Sequence, residues 1–310
     1  MKYRMTALFV AVGVLLAGCA PIGQEAQDEA QIYASFYPIY ALSGLVLGDV
    51  PGIRLACLAQ PQDGCLRDYA LSDWDMRVLA YDADAVIIGG RGLEAYEEML
   101  YALGASGPPL IRAQYGISLY NQADETQITE ESSHLVGANP HRYLSVPGAR
   151  EIAAGIAEGM AELYPEKADA IAEGAARADA KLADLQNELQ EICAGVAGEQ
   201  VILMNETLIY PALDYGLEVA YWYDRESAHT LYGADLDNLI AELNETGARV
   251  VLIEKQAPKQ LIDALDAAGY AVARIDILST YALGAGYEGY LEAQRANARA
   301  IAAAYDWEGD

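Results

Sequence analysis

The chain has 310 residues, with 46 acidic against 19 basic side chains and a formal charge of −27. A field of that sign opposes phosphate backbones and anionic lipid headgroups, which excludes nucleic acid as the partner and suits a solubilising acidic coat. The length supports one large or two modest domains with real cores.

Residues 1–19 read as an export signal. Lys2 and Arg4 make a basic start, Ala7 to Leu16 is apolar, and Leu16-Ala17-Gly18-Cys19 closes the segment. The apolar stretch is too short to span a bilayer and small residues precede its end, so cleavage is expected. The segment resembles bacterial lipoprotein signals, with Cys19 as the lipidated first residue of the mature chain. An ordinary secretory signal with a chance cysteine is the alternative. Cleavage removes two of the basic residues, so the mature chain is more acidic still. The expected location is the extracytoplasmic face of the cell membrane, through the lipid anchor. Residues 20–31 are small, polar and acidic, without hydrophobic periodicity, and read as a flexible tether.

From Ile32 to about Tyr305 the composition is globular, and no further segment approaches membrane-spanning length. Strands are predicted at Ile32–Phe36, Ile53–Leu58 and Ala83–Ile88. Pro38 stands where a helix begins, Ser72 caps a helix opening on Asp73-Trp74-Asp75, and Leu93 to Leu103 is helical. Cys57 and Cys65 flank a loop containing Pro61 and Gly64. Outside the cytoplasm they are expected to form a disulfide; a metal-thiolate pair or two free thiols are the alternatives. Cys193 falls on an apolar helix face and reads as a packing residue.

Between Ala149 and about Ala197 no strand signal occurs. Leu182, Leu185, Leu189 and Ile192 recur at steps of three and four, one apolar stripe. An unbroken helix from Pro165 to Cys193 would be roughly 40 Å long, either a strut between lobes or half of a coiled coil. After Gly198 strands are predicted at Val201–Met204, Val219–Trp222, Val250–Ile253 and Val272–Ile275. Helices are predicted at Asp235–Leu243, with Asp235 as cap, at Pro258–Ala268 and at Tyr287–Tyr305. Alternating strands and helices of these lengths define an α/β fold with parallel sheets. Two lobes, 32–163 and 198–310, bracket a backbone helix at 164–197.

Ordered motifs then carry a resemblance. Ser35-Phe36-Tyr37-Pro38, Arg67-Asp68-Tyr69-Ala70-Leu71-Ser72-Asp73-Trp74-Asp75, Gly92-Leu93-Glu94 and Asn139-Pro140-His141-Arg142-Tyr143-Leu144 come in sequence. Met204-Asn205-Glu206, Tyr210, Tyr215-Gly216-Leu217, Ile253-Glu254 and Ile275-Asp276 follow. The chain resembles the substrate-binding lipoproteins of zinc and manganese ABC importers over most of Ile32 to Tyr305. The resemblance implies two α/β lobes joined by a backbone helix, of periplasmic-binding-protein type, with a metal held between them. It implies zinc or manganese as transported ligand, an ABC permease and its ATPase as partners, and a monomer.

The family's ligand positions fall on Arg67, His141, Asn205 and Asp276. Two depart from the pattern. Arginine stays protonated and repels a cation, and asparagine offers only a neutral carbonyl oxygen. His141, Asp276 and Asn205 are therefore the candidate metal residues. Arg67, Glu206 and Glu254 are assigned to the substrate cleft. His134 and His229 read as polar loop histidines, and Tyr69, Tyr143 and Tyr210 as pocket-lining rings. Arg67 is able to pair with Asp276 or to contact an anionic metal chelate. No G-x-S-x-G elbow, H-E-x-x-H pair or P-loop occurs, so a receptor rather than an enzyme is expected. A surface lipoprotein, adhesin or interaction module, that kept the fold but lost metal binding is the alternative.

Overall fold

The computed structural model describes residues 29–59, 69–115, 119–120, 127–128, 139–223, 233–279 and 284–306. The first lobe alternates β1 (Ala30–Ala34), α1 (Tyr37–Leu47), β2 (Ile53–Cys57), α2 (Asp73–Arg77), β3 (Ala85–Ile88), α3 (Glu97–Leu103) and β4 (Leu110–Arg112). Its four strands are parallel in the order β2-β1-β3-β4. Two-residue strands β5 (Leu119–Tyr120) and β6 (Gln127–Ile128) pair antiparallel. Helices α4 (Val146–Leu163) and α5 (Ala168–Ile192) follow.

The second lobe contains β7 (Gln200–Leu203), α6 (Ile209–Asp214), β8 (Glu218–Trp222), α7 (Ala234–Thr246), β9 (Val250–Glu254), α8 (Lys259–Ala267), β10 (Ala271–Ile275) and α9 (Tyr287–Tyr305). Its strands are also parallel, in the order β10-β9-β7-β8. The predicted α/β class, with two parallel sheets and a long helix between them, is what the chain adopts. No helix of the described residues is long and apolar enough to cross a membrane.

The boundaries differ from the periodicity in instructive ways. β1 starts at Ala30, where the amide donates to the Gly52 carbonyl at 3.0 Å, so Ala30 and Gln31 belong to the sheet rather than the tether. It ends at Ala34 because Phe36 is extended and forms the N-cap position of α1. The Ser72 cap is present as a reciprocal capping box with Asp75. Asp235, by contrast, stands in the first turn of α7, while Gly233 is the cap. α3 begins at Glu97 rather than Leu93, because Glu94 turns inward to bind backbone amides. Pro165 opens a short 3-10 turn, and α5 proper starts at Ala168. At 1.5 Å per residue α5 is about 38 Å long.

The stripe on α5 extends back through Ile171, Gly174 and Ala178 to join buried Leu182, Leu185 and Leu189. It packs against α1, α4 and α9 within the chain, which makes α5 the strut of the two alternatives. One core runs continuously from Ile32, Leu42 and Ile87 through α4 and α5 to Val201, Leu252, Ile275 and Ile301. Cys193 closes α5, 2% exposed; its thiol donates to the Ala298 carbonyl at 3.5 Å, and burial pushes it up to about 11.

Candidate metal-binding site

Three adjacent strands of the second sheet deliver their C-terminal ends to one edge. Leu203 is in register with Leu252, and Ile275 with Glu254. Asn205 and Glu206 therefore leave β7 beside Glu254 at the end of β9, and Asp276 follows β10. Ligands of open α/β sheets bind beyond such carboxyl ends. Glu206 and Glu254 are each 3% exposed, among the most buried acids of the described residues.

The first lobe supplies the segment from Asn139 to Ser145, which runs through a 3-10 turn into α4. Hydrogen bonds from the far side hold it. Asn139 Nδ2 donates to the Glu206 carbonyl at 2.7 Å, and the Tyr210 hydroxyl donates to the Asn139 carbonyl at 2.6 Å. Tyr143 donates to the Ile277 carbonyl at 3.2 Å, and Tyr290 on α9 donates to the Tyr143 carbonyl at 2.8 Å. Gln294 on α9 donates to the Leu144 carbonyl at 3.2 Å. His141 lies in this seam, 4% exposed, with Nδ1 2.9 Å from Asn139 Oδ1 and its ring 6.0 Å from that of Tyr143.

The other candidates carry contacts of their own. Asn205 Oδ1 accepts from the Thr207 amide at 2.9 Å, which caps the turn leading to α6 and uses one of that oxygen's two lone pairs. Asp276 Oδ1 accepts from the Leu278 amide at 2.9 Å, and Oδ2 lies 3.4 Å from Lys255 Nζ. Asn297 on α9 grips the Asp276 main chain from both sides, at 2.8 and 2.9 Å. Among the described residues no three His, Cys, Asp or Glu side chains are placed to hold one metal ion. Of the candidate metal residues, His141 lies in the segment tied to the second lobe, Asn205 caps its own turn and Asp276 lies against Lys255. Arg67, Cys65, Cys19, His134 and His229 lie outside the described residues; Cys57, at the end of β2, is described, but its proposed pairing is not.

Several resemblance motifs prove to be hydrogen-bonded scaffolding within the first lobe. Tyr69, the Ser72 amide and the Ser72 hydroxyl each donate to Asp75 Oδ2 at 2.7 Å, a knot that opens α2. Ser35 donates to Glu94 Oε1 at 2.6 Å, and the Gly89 and Gly90 amides add 2.7 and 2.9 Å contacts. Burial pushes the Glu94 carboxyl above its usual range against those three donors. The next acid, Glu97, takes the Arg91 and Gly92 amides and the Tyr101 hydroxyl. Arg91 adopts a φ of 63° to make that wrap. Asn139, Gln294 and Asn297 were missed as site-building residues. Neutral amides carry no charge pattern, and only the fold brings them to the seam.

Two outer grooves lie away from these residues. One of about 510 Å³ sits between β4 and α4, lined by Arg112, Tyr115, Glu158 and Glu162 among others. The other, of about 410 Å³, sits between α1, β2 and the start of α9.

Two parallel-sheet lobes, a long connecting helix and a buried histidine at the seam define the class of two-lobed substrate-binding receptors. The chain belongs to the ZnuA family, described as zinc-uptake complex component A, periplasmic, whose model matches residues 32–304. It is similar to the high-affinity zinc uptake system protein ZnuA of Paracoccus denitrificans, 30% identical over 129 residues, 42% of this chain and 40% of that protein. It is also similar to the zinc-binding lipoprotein AdcA of Streptococcus pneumoniae strain R6, 24% identical over 199 residues, 63% of this chain and 39% of that one. The matches thus span about two-fifths of the length of these relatives. A crystal structure of ZnuA superposes with a TM-score of 0.70 at 25% identity, covering 89% of this chain and 99% of that chain.

Proposed function

We propose that this chain is the extracytoplasmic substrate-binding lipoprotein of an ABC importer. It captures a divalent metal, zinc or manganese, or a metal complex, between its lobes and delivers it to the permease and its ATPase. The supporting observation is His141, buried in a segment that Asn139 and Tyr143 tie to the Glu206 and Ile277 carbonyls of the second lobe. An imidazole suits zinc, and carboxylates suit zinc or manganese. Cys19 anchors the mature chain to the membrane, and the receptor acts as a monomer without catalysis.

Metal analysis of protein purified without chelator tests this reading. Roughly one bound equivalent, lost in His141→Ala, supports it, because a set of three or four ligands centred on one ion fails when its imidazole goes. A second reading draws on the Asn205 cap, the Lys255 contact to Asp276 and the lack of a three-ligand cluster among the described residues. On that reading the chain is an interaction lipoprotein that kept the fold without the cargo. Metal-free protein with no thermal shift on adding zinc or manganese selects it.

A further inference from the structure

We propose that Asn139 is a positioning residue that fixes the proton of His141 on Nδ1, references the ring to the second lobe, and so leaves the ligand lone pair on Nε2. The claim that this serves cargo binding rests on the receptor reading above. Two main-chain groups decide which way round the Asn139 carboxamide sits. The His141 amide can only donate, and it lies 3.2 Å from Oδ1. The Glu206 carbonyl can only accept, and it lies 2.7 Å from Nδ2. Rotating the carboxamide by half a turn would set donor against donor on one side and acceptor against acceptor on the other.

With Oδ1 facing His141, the ring nitrogen 2.9 Å away must be the donor. A neutral imidazole protonated at Nδ1 has its acceptor at Nε2, the atom able to bind a cation. Metal-ligating histidines are oriented in this way by a partner on the other nitrogen. Here the partner is held from the opposite lobe, through the Glu206 carbonyl and, at its own carbonyl, the Tyr210 hydroxyl at 2.6 Å. Asn139 is 0% exposed, so water does not substitute for any of these contacts. The ring therefore takes its tautomer from Asn139 and its bearing from residues 206–210.

The test compares Asn139→Ala with Asn139→Asp in the full chain. Both lose the donor to Glu206, while Asp keeps an acceptor for Nδ1 and Ala does not. Their difference reports the acceptor for Nδ1 together with the charge that the carboxylate adds. ¹⁵N NMR of the ring nitrogens is tractable because the chain has 3 histidines, with His141 assigned by its loss in His141→Ala. Wild type and Asn139→Asp are expected to carry the proton on Nδ1, and Asn139→Ala to lose that single tautomer. Zinc affinity should fall roughly 10–100-fold in Asn139→Ala and stay near wild type in Asn139→Asp. A wild-type proton on Nε2, or equal zinc affinity in the two folded variants, overturns the proposal. Should wild type bind no zinc, the receptor reading fails and with it the cargo role. The tautomer signal then decides whether Asn139 positions the ring.

Discussion

Gly174 on α5 passes the Val46 carbonyl of α1 so closely that a Cβ at residue 174 would stand 2.0 Å from the oxygen. The strut helix meets the first lobe at that contact, and a backbone atom cannot swing aside as a side chain would. Gly174→Ala should cost about 1–3 kcal/mol through overpacking, despite alanine's better helix propensity. A urea midpoint equal to wild type would show that α5 does not bear on α1 there.

Asp214, at the end of α6, is half-buried against the start of α4. Burial raises its carboxyl to about 6, outweighing the Ser145 hydroxyl, Arg142 and the Val146 amide, which lower it; Glu151 adds to the rise. The ordinary value is 3.8, so between the two values the folded state binds more protons than the unfolded chain. The contribution to stability is therefore fully present below pH 3.8 and is lost as pH rises through about 6. Asp214→Asn should be more stable than wild type at pH 7.5, with the advantage vanishing by pH 4. Denaturant midpoints at both pH values check this, and a pH-independent difference would contradict it.

Lys255 Nζ lies 3.4 Å from Asp276 Oδ2, with the lysine 61% exposed. An ion pair so open contributes little to stability, but its ammonium competes with any dication for that carboxylate. Lys255→Gln should leave the melting temperature within a degree or two and tighten zinc binding several-fold. Unchanged zinc affinity in a titration would remove Asp276 from the ligand set.

By the resemblance Arg67 falls at a histidine position of the family, and its substitution separates two kinds of cargo. For a bare dication, Arg67→His should strengthen binding by adding a nitrogen ligand and removing a repelling charge. For an anionic chelate it should weaken binding by removing a fixed positive fork. Titration with the free metal and with a metal chelate reads the sign directly.

Cys19→Ser should move the exported chain from the membrane fraction to the soluble extracytoplasmic fraction. Retention in the membrane would mean that residues 1–19 do not end in a lipid-carrying cysteine.

Local periodicity was enough to reach the fold class. Apolar runs such as Val250–Ile253, the α5 stripe and the Ser72 cap are written in neighbouring residues, because strand and helix spacing and capping are short-range properties. β4 escaped notice because three residues, Leu110–Arg112, carry no period; only pairing with β3 makes them a strand. The same divide runs through the site. His141, Asn205 and Asp276 were legible as residue types at motif positions. That Asn205 is a cap, that Asp276 faces Lys255, and that Asn139 links His141 to Glu206 across the seam were not. A hydrogen bond between Asn139 and Glu206 joins positions 67 residues apart, and nothing in either residue's neighbours encodes it. Such contacts exist only once two sheets have packed on one strut, since burial then obliges each polar group to find a partner.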